Sequence, residues 1–439
     1  MHSEVDCDVL VIGGGPGGTT AATLLSRKGW KVLLLEKDSH PRFHIGESLL
    51  PCNVPIFDEL GVLDKVRDLG VLKLGADFPS GDGNYQTIYF RRALGTSSPH
   101  AWHVRRDEFD QMLFEHARAN GVDARERVKV ISTEVSGIDS VRATAQDADG
   151  HPIAIRARYL VDASGRDTFL GNKLKLKRKN ERHQSAAIFA HFEDAEHRSG
   201  EDAGNITIYR FEHGWCWFIP LRDGVMSVGC VCSPEYLKQR KGDTGAFLMA
   251  TLARMPEAWK RMDRARMLGG VHVTGNYSYA CSRMAGPGWI MAGDAWAFVD
   301  PVFSSGVYLA MDGAARAADV IDVSLREPAR EAALQRQMAR RLKKGVRVFS
   351  WFIYRFNSPT MRQLFARPRN HFRIQDGVIS MLAGDVFDSR PVMLRVYLFR
   401  MIYAITSLGS PRRWLAERVK RRRLARAEFN GDTTPADPV

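Results

Sequence analysis

A glycine-rich stretch near the N-terminus has the spacing of a pyrophosphate-binding turn. Gly13, Gly15 and Gly18 form the pattern G-x-G-x-x-G directly after an apolar strand and directly before a run of helix formers. The first glycine makes the tight turn, the second lets the backbone approach a pyrophosphate, and the third allows close packing of helix on strand. The N–H groups at the helix start attract phosphate oxygens. The pattern therefore predicts a nucleotide site.

An acidic residue, Glu36, closes the next predicted strand. A carboxylate at this point accepts hydrogen bonds from the hydroxyl groups of an adenosine ribose, and it favours an unphosphorylated ribose. The tightly held nucleotide is therefore predicted to be FAD or NAD rather than NADP.

Two tryptophans alternate along the predicted strand GWCWFIP, residues 214–220. Because successive side chains in a strand point to opposite faces, Trp215 and Trp217 project from the same face. Taken alone, the pair is equally typical of a hairpin core.

The segment PVFSSG, residues 301–306, combines small side chains with main-chain N–H groups. N–H dipoles in such a loop form a concavity that suits a halide ion, with Ser304, Ser305 and Gly306 as candidate ligands. A tight helix entry with serine as N-cap fits the same residues.

The hydrophobic pattern predicts the elements that position these residues. One βαβ unit covers residues 8–36, and helices over 106–120 and 306–325 and a strand over 158–162 rejoin it. Past residue 185 the pattern changes to short alternating strands, which indicates an antiparallel sheet. These strands are predicted at 186–192, 205–211, 214–220 and 226–232.

The composition predicts a globular, cytoplasmic protein. The chain has 439 residues, 44% of them hydrophobic, which is enough for two or three lobes. The N-terminus lacks the basic and apolar regions of an export signal. Six cysteines without a CxxC pair or histidine-rich spacing argue against a disulfide framework and against a metal site.

Much of the net charge of +13 lies near the C-terminus, where eight Lys or Arg accompany only Glu417 between Arg412 and Arg426. Residues 392–408 are apolar but contain arginines and fall short of the ~20 apolar residues of a membrane span. For the basic segment three roles stay open: a helix capping the fold, a peripheral contact at the inner membrane surface, or a dock for an acidic protein.

Three further segments resemble the FAD-dependent aromatic hydroxylase superfamily. They are VRRDEFD at 104–110, DASGR at 162–166, and the Gly-Asp pair within GWIMAGDAWAFVDP. The resemblance implies FAD rather than NAD, with Asp294 beside the ribityl and pyrophosphate region and Arg106 as the arginine of the second motif.

Other motifs narrow the resemblance to one branch. PRFHIGESLLP, residues 41–51, resembles the loop over the flavin in flavin-dependent halogenases and geranylgeranyl-type reductases, which implies cofactor contacts from Arg42 and Ser48. GWCWFIP and FVDPVFSSG match the halogenase motifs GWxWxIP and FxxPxxSxG. The resemblance implies that Trp215 and Trp217 keep organic substrate away from the flavin, so that halide reacts first.

Lys73 lies in a segment similar to K-x-G-A-x-F of phenol and pyrrole halogenases, whose lysine lies between flavin and substrate. Hypohalous acid is a diffusible oxidant, and an amine can hold it by a hydrogen bond or as a haloamine. A desolvated lysine with a lowered pKa does this better than an exposed one. A solvated surface lysine is the alternative. No glutamate aligns with the base of tryptophan halogenases, and His103, His191 and His213 are further hydrogen-bonding candidates.

The resemblance implies a halogenase that receives FADH2 from a separate flavin reductase, because no second nucleotide fingerprint occurs. The implied substrate is an electron-rich phenol or pyrrole, free or tethered to an acyl or peptidyl carrier protein, with chloride or bromide as co-substrate. The alternatives are a flavin monooxygenase, a geranylgeranyl-reductase-like oxidoreductase and a non-catalytic FAD-binding module. Nucleic-acid binding is not expected, since no recognition fold accompanies the charge.

The predicted fold is α/β, and α+β overall. A discontinuous Rossmann-type FAD-binding domain covers 1–75, 100–165 and 285–325. A substrate domain with an antiparallel sheet covers 76–99 and 166–284, and a helical basic region covers 326–439.

Overall fold

The computed structural model of the chain describes residues 4–408, apart from 82, 96, 181–184, 241, 276–277 and 367–369. The basic segment between Arg412 and Arg426 lies outside the described residues. The strands in the described part are β1 (Glu4–Ile12), β2 (Val32–Leu35), β3 (Gly70–Lys73), β4 (Gly75–Pro79), β5 (Tyr85–Tyr89), β6 (Ala101–Val104), β7 (Asp123–Arg125), β8 (Lys129–Val135), β9 (Val141–Gln146), β10 (Pro152–Asp162), β11 (Lys177–Lys179), β12 (Ala186–Glu193), β13 (Ile206–Phe211), β14 (Gly214–Pro220), β15 (Met226–Cys232), β16 (Arg266–Gly275), β17 (Tyr279–Cys281), β18 (Ala285–Gly286), β19 (Trp289–Met291) and β20 (Ala297–Phe298). The helices there are α1 (Pro16–Arg27), α2 (Val54–Leu60), α3 (Leu63–Leu69), α4 (Arg106–Ala119), α5 (Phe169–Lys173), α6 (Pro234–Leu237), α7 (Thr244–Leu252), α8 (Pro256–Lys260), α9 (Ser305–Arg326), α10 (Glu331–Ile353), α11 (Pro359–Ala366), α12 (Ile374–Leu382) and α13 (Arg390–Leu408).

Strand β1 is the centre of an eight-stranded sheet. It pairs in parallel with β10 on one side and with β2 on the other, and β7 and β19 extend the parallel part. Its apolar residues are buried on both faces, as parallel sheets require, and helices α1 and α9 pack against each other beside it. The predicted nucleotide-binding unit is therefore present.

The second sheet has seven strands in the order β16-β12-β15-β14-β13-β4-β5. Strands β14 and β15 have the predicted bounds, and they pair antiparallel in the register Cys216↔Cys230. This register corrects one expectation, since the two cysteines form a disulfide across the strands. Sequence spacing did not indicate it, because residues 14 apart meet only once the hairpin has formed.

The C-terminal part is helical, as predicted. Helix α12 packs against α13, and α13 also contacts α11. By length and mean hydropathy of 1.2, α13 meets the criterion for a membrane span, with 22% of its most apolar window buried. The mixed α/β fold class is confirmed, while the three domain boundaries stay a prediction.

Candidate active site

A cavity of about 820 Å³ lies where the two large sheets meet. One wall contains the carboxyl ends of β1 and β10, where open α/β sheets bind ligands, and the other contains β14. Gly18, Lys73 and Ser305 do not line it. The predicted site residues that do are Gly13, Gly15, Glu36, Arg42, Ser48, Arg106, Trp215, Trp217, Asp294, Ser304 and Gly306.

The glycine turn has the geometry of a phosphate cradle. Gly13 has a φ of +102°, which favours glycine. A Cβ atom at Gly18 would lie 1.8 Å from the carbonyl oxygen of Gly13, so only glycine lets α1 start so close to β1. Gly18 thus shapes the turn from outside the cavity, whereas Gly15, at the N-cap of α1, faces the space that phosphates would occupy.

Glu36 is held rigidly at the cavity wall. Its carboxylate accepts hydrogen bonds from the N–H groups of Gly14 (2.8 Å) and Asp38 (3.0 Å) and from Arg42 (3.2 Å). Two carboxylate oxygens offer about four acceptor positions, so one remains for a ribose hydroxyl.

Arg106 fixes the loop that covers the cavity. Its guanidinium makes two parallel hydrogen bonds to Asp110, of 2.8 and 2.9 Å, and donates to the carbonyl oxygen of Ile45 at 2.8 Å. Arg42 lies 3.6 Å from the same Asp110, and its buried Nε has no hydrogen-bond partner within the described residues. The loop formed by residues 42–48 is therefore held in place by Arg106, and Arg42 provides an N–H donor on this loop that is free to bind a ligand.

Asp294 follows β19 at the floor of the cavity. Burial raises the pKa of its carboxyl group to about 6, although the nearby Arg166 and Arg106 partly oppose this. Hydroxyl donors of a ligand would favour the charged carboxylate, which suits the proposed contact with a ribityl chain.

Trp215 and Trp217 both face the cavity, as the alternation predicted. Their ring centroids are 5.7 Å apart, and the indole N–H of Trp217 donates to Ser227 at 3.2 Å. The disulfide of Cys216 lies on the opposite face of β14, in a separate apolar cluster. The two tryptophans therefore form a rigid apolar wall.

The loop before α9 carries the predicted anion ligands. Ser304 occupies the N-cap position of α9, as one interpretation of the sequence predicted, but its φ is +56° and its side chain makes no capping hydrogen bond. The buried Oγ of Ser305 has no hydrogen-bond partner in the described part of the chain. With Gly306 on the cavity wall, the start of α9 leaves unpaired donors near the cavity.

Lys73 is buried behind the cavity wall, with 2% of its surface exposed. Its Nζ donates to Ser48 Oγ at 2.8 Å and to the carbonyl oxygen of Leu49 at 3.1 Å, and it lies 5.3 Å from the ring centre of Phe90. Burial lowers the pKa of the amine to about 7. The surface-lysine alternative is wrong, and the amine approaches the cavity through Ser48.

The cavity wall also contains a carboxylate, Glu47, that the sequence motifs did not predict as a site residue. Glu47 is buried, and its Oε1 lies 2.6 Å from Nε2 of His191 on β12. The ring of Phe43 makes an edge contact with His191, with centroids 6.2 Å apart, and stacks on His272 with centroids 3.8 Å apart. Glu47 belongs to the motif at 41–51, but only the contact between that loop and β12 reveals its partner.

These residues fit FAD: a glycine cradle, a ribose acceptor, a large cavity, and the unpaired donor of Arg42 on the cavity wall. Fold and site thus define an FAD-dependent flavoprotein. A family model described as an FAD binding domain matches residues 6–351.

Known relatives make the assignment more specific. A flavin-dependent halogenase of Penicillium aethiopicum is 34% identical over 376 residues, which cover 80% of this chain and 70% of the relative. The 1H-pyrrole-2-carbonyl-[peptidyl-carrier protein] chlorinase of Pseudomonas fluorescens is 28% identical, over 92% of this chain and 95% of the relative. The chain belongs to the flavin-dependent halogenases.

A solved halogenase structure agrees with this assignment, and a second solved structure shares the flavoprotein fold. The myxobacterial chondrochloren halogenase CndH superposes with a TM-score of 0.75 at 30% identity, covering 90% of this chain and 96% of that one. A flavoprotein/dehydrogenase from Cytophaga hutchinsonii has a TM-score of 0.86 at 29% identity, covering 92% and 100%. The chain is thus an enzyme of the halogenase family with FAD as its cofactor.

Proposed function

We propose that the enzyme uses FADH2, O2 and chloride or bromide to form hypohalous acid, which Lys73 directs onto an electron-rich phenol or pyrrole. The observation that carries this proposal is the desolvated Lys73 amine, joined to the cavity residue Ser48 by a 2.8 Å hydrogen bond. An amine with a pKa near 7 is partly neutral at physiological pH, and a neutral amine can accept a hydrogen bond or a halogen.

The bound FAD supplies the redox chemistry. Around it, Glu36 holds the ribose, Asp294 the ribityl region, and Arg106 keeps the covering loop in place. N–H groups from Ser304 to Gly306, with the Ser305 hydroxyl, hold the halide.

Trp215 and Trp217 exclude water and organic substrate from the flavin side of the cavity. Hypohalous acid then replaces one hydrogen of the aromatic ring by halogen, and the ring hydrogen leaves with the hydroxyl group as water. Lys73 keeps the oxidant from diffusing, and Ser48 is the hydroxyl between the amine and the cavity.

We also propose the partners that this chemistry needs. A separate flavin reductase delivers FADH2, because the described site contains one nucleotide cradle. The Pseudomonas fluorescens relative is named for a carrier-tethered pyrrole and matches nearly the whole chain, which supports a tethered aromatic substrate here. We therefore propose that the enzyme works in the cytoplasm together with these partners.

Product masses test the proposal. The enzyme is incubated with FAD, a flavin reductase, NADH and bromide or chloride, together with phenols, pyrroles and indoles, free and tethered to a carrier protein. We expect products whose mass corresponds to replacement of one ring hydrogen by halogen, and we expect them only when halide is present. Hydroxylated products that form without halide would instead support a flavin monooxygenase.

A reductase-like oxidoreductase is the second candidate, and the similarity to the Cytophaga hutchinsonii flavoprotein/dehydrogenase favours it. It predicts reduced product and no requirement for O2. The same incubation under anaerobic conditions distinguishes the two.

A further inference from the structure

Helix α13 exposes a continuous apolar stripe. Leu394, Tyr397, Met401, Ile405 and Leu408 are between 39% and 70% exposed. Their spacings of three and four residues place them on one face of the helix. Apolar residues scattered over a surface need no explanation, but a row of five on one helix is typical of an interaction site.

The opposite face of α13 is already used for packing. Val392, Val396 and Phe399 are buried, and α13 packs against α12 so closely that a Cβ atom at Gly377 would lie 2.4 Å from Cβ of Arg395. A surface helix normally presents polar residues to water. Here both faces are apolar, and the exposed stripe is not part of the core that the described residues form.

The sequence of the helix and of the segment that follows it is basic. Helix α13 contains three arginines and no acidic residue, and eight basic residues accompany only Glu417 between Arg412 and Arg426. A second copy of the chain would bring the same positive charge to the contact. An acidic partner would be attracted, and its association would be faster at low salt.

The form of the stripe favours a helix over a flat lipid surface. Residues at spacings of three and four form the row of knobs with which one helix packs into the grooves of another. An acidic amphipathic helix matches both the spacing and the charge. Acyl and peptidyl carrier proteins are small, acidic helical bundles.

Contacts connect helices α12 and α13 to the segment beside Lys73. Phe90, beside the Lys73 amine, begins a segment that α12 covers: Ser380 Oγ accepts a hydrogen bond from Leu94 N at 2.6 Å, and Arg92 pairs with Asp376 at 3.2 Å. Helix α13 packs on α12. A carrier docked on α13 would therefore bind to the helical layer that borders this segment.

We propose that the exposed stripe of α13 is the docking surface for an acidic carrier protein that presents the aromatic substrate. This inference rests on the proposed function. It assigns a partner surface to α13, for which the sequence alone left several roles open.

Carrier binding to the full-length, FAD-loaded enzyme tests the docking surface. The probes are fluorescently labelled peptidyl and acyl carrier proteins loaded with pyrrole-2-carbonyl or hydroxybenzoyl groups, including the pyrrole-loaded carrier of the Pseudomonas fluorescens relative. We expect Tyr397→Glu and Ile405→Glu to weaken binding by about tenfold or more, since each removes an apolar contact and adds a repelling charge.

Ile131→Glu is the control, because Ile131 is also an exposed apolar residue, with 50% of its surface exposed, but lies on β8. It should change the carrier affinity less than about twofold. Unchanged FAD content and melting temperature show that the α13 variants are folded. Halogenation of a free phenol or pyrrole should also be unchanged in them.

Several results would overturn the docking surface while leaving the halogenase proposal intact. The first is that the α13 variants bind the carrier as tightly as the wild type. The second is that the enzyme halogenates free aromatics but binds no carrier. The third is that Ile405→Glu still binds the carrier but no longer sediments with phosphatidylglycerol vesicles, or no longer forms a dimer in light scattering. Absence of halogenated product from every substrate would instead contradict the proposed function itself.

Discussion

In the proposed mechanism, the buried amine of Lys73 couples catalysis to stability. Its pKa of about 7 in the folded chain lies below the value of 10.5 for an unfolded lysine, so between these pH values the folded chain binds fewer protons. Stability therefore rises with pH across this window. We expect Lys73→Met to abolish most halogenation, by about 10²-fold or more, and to raise the melting temperature at pH 6 but not near pH 10. Product mass and thermal melts at both pH values check this.

Lys65→Met is the control for this variant, since Lys65 is exposed on α3. It should keep both activity and the pH dependence of melting. If Lys73→Met halogenates as the wild type does, Lys73 is a structural residue and the chemistry lies elsewhere.

The charged carboxylate of Asp294 should destabilise the FAD-free protein but strengthen FAD binding. Its pKa of about 6 lies above the ordinary 3.8, so ionisation above pH 6 costs the FAD-free protein stability. We expect Asp294→Asn to raise the melting temperature of the FAD-free protein at pH 7.5. The same change should weaken FAD binding by roughly tenfold, because a charged acceptor for hydroxyl groups is lost.

Equilibrium dialysis with FAD and melting of the FAD-free protein measure the two effects. Asp300 is a matched carboxyl group, because burial also raises its pKa to about 6 but it does not line the cavity. Asp300→Asn should leave the FAD affinity within about threefold. Equal losses of FAD affinity in both variants would show that Asp294 has no direct contact with the flavin.

At the scale of elements, two helix starts carry glycines with different constraints. A Cβ atom at Gly18 would lie 1.8 Å from a backbone oxygen, whereas one at Gly306 would meet nothing within 4 Å. We expect Gly18→Ala to lose FAD binding and stability together. Gly306→Ala should fold normally but raise the KM for halide severalfold, because the methyl group enters the proposed anion site.

Melting curves and initial rates against bromide concentration measure this pair. The two variants therefore test two different functions, since α1 begins at the phosphate cradle and α9 begins at the proposed halide site. A normal KM for halide in Gly306→Ala would remove the start of α9 from the proposed halide site.

The sequence predicted those elements whose pattern is local. Helix α9 was expected at 306–325 and is Ser305–Arg326, and β14 and β15 have their predicted bounds, because glycines and alternating apolar residues mark their ends. The parallel pairing of β13 with β4 was not predictable, since it joins segments that are far apart in the chain. The Cys216 disulfide depends on strand register in the same way.

Motif residues of the site were predictable, but their contacts were not. Gly13, Gly15, Glu36 and the two tryptophans line the cavity because their spacing fixes their direction on a turn or strand. The hydrogen bond from Lys73 to Ser48 and the pair formed by Glu47 with His191 join separate segments. No local pattern specifies such contacts.

In the proposed mechanism, oxidant formation and substrate entry use different parts of the molecule. The cavity that fits FAD lies between two sheets, while Lys73 lies on the small sheet formed by β3 and β6. We propose that Trp215 and Trp217, on the wall of β14, control what reaches the flavin from the second sheet. This proposal accounts for an enzyme that must let halide in and keep aromatic substrate out.

Removing both indoles tests this division of the molecule. We expect the pair Trp215→Ala and Trp217→Ala to admit organic substrate and water to the flavin. The ratio of halogenated product to NADH consumed should then fall by about tenfold, with hydroxylated product or hydrogen peroxide making up the difference. Mass spectrometry of products and a peroxide assay measure the ratio.

Each Trp→Ala change also removes core packing and costs roughly 3–5 kcal/mol of stability. The pair Trp215→Phe and Trp217→Phe keeps an aromatic wall at lower cost, so it should bind FAD and retain most of the coupling between NADH and halogenation. A graded loss from Trp to Phe to Ala at constant FAD content supports exclusion by the wall. Equal coupling in all three proteins would make the tryptophans core residues of the hairpin, and selectivity for halide would then have to reside in the loop before α9.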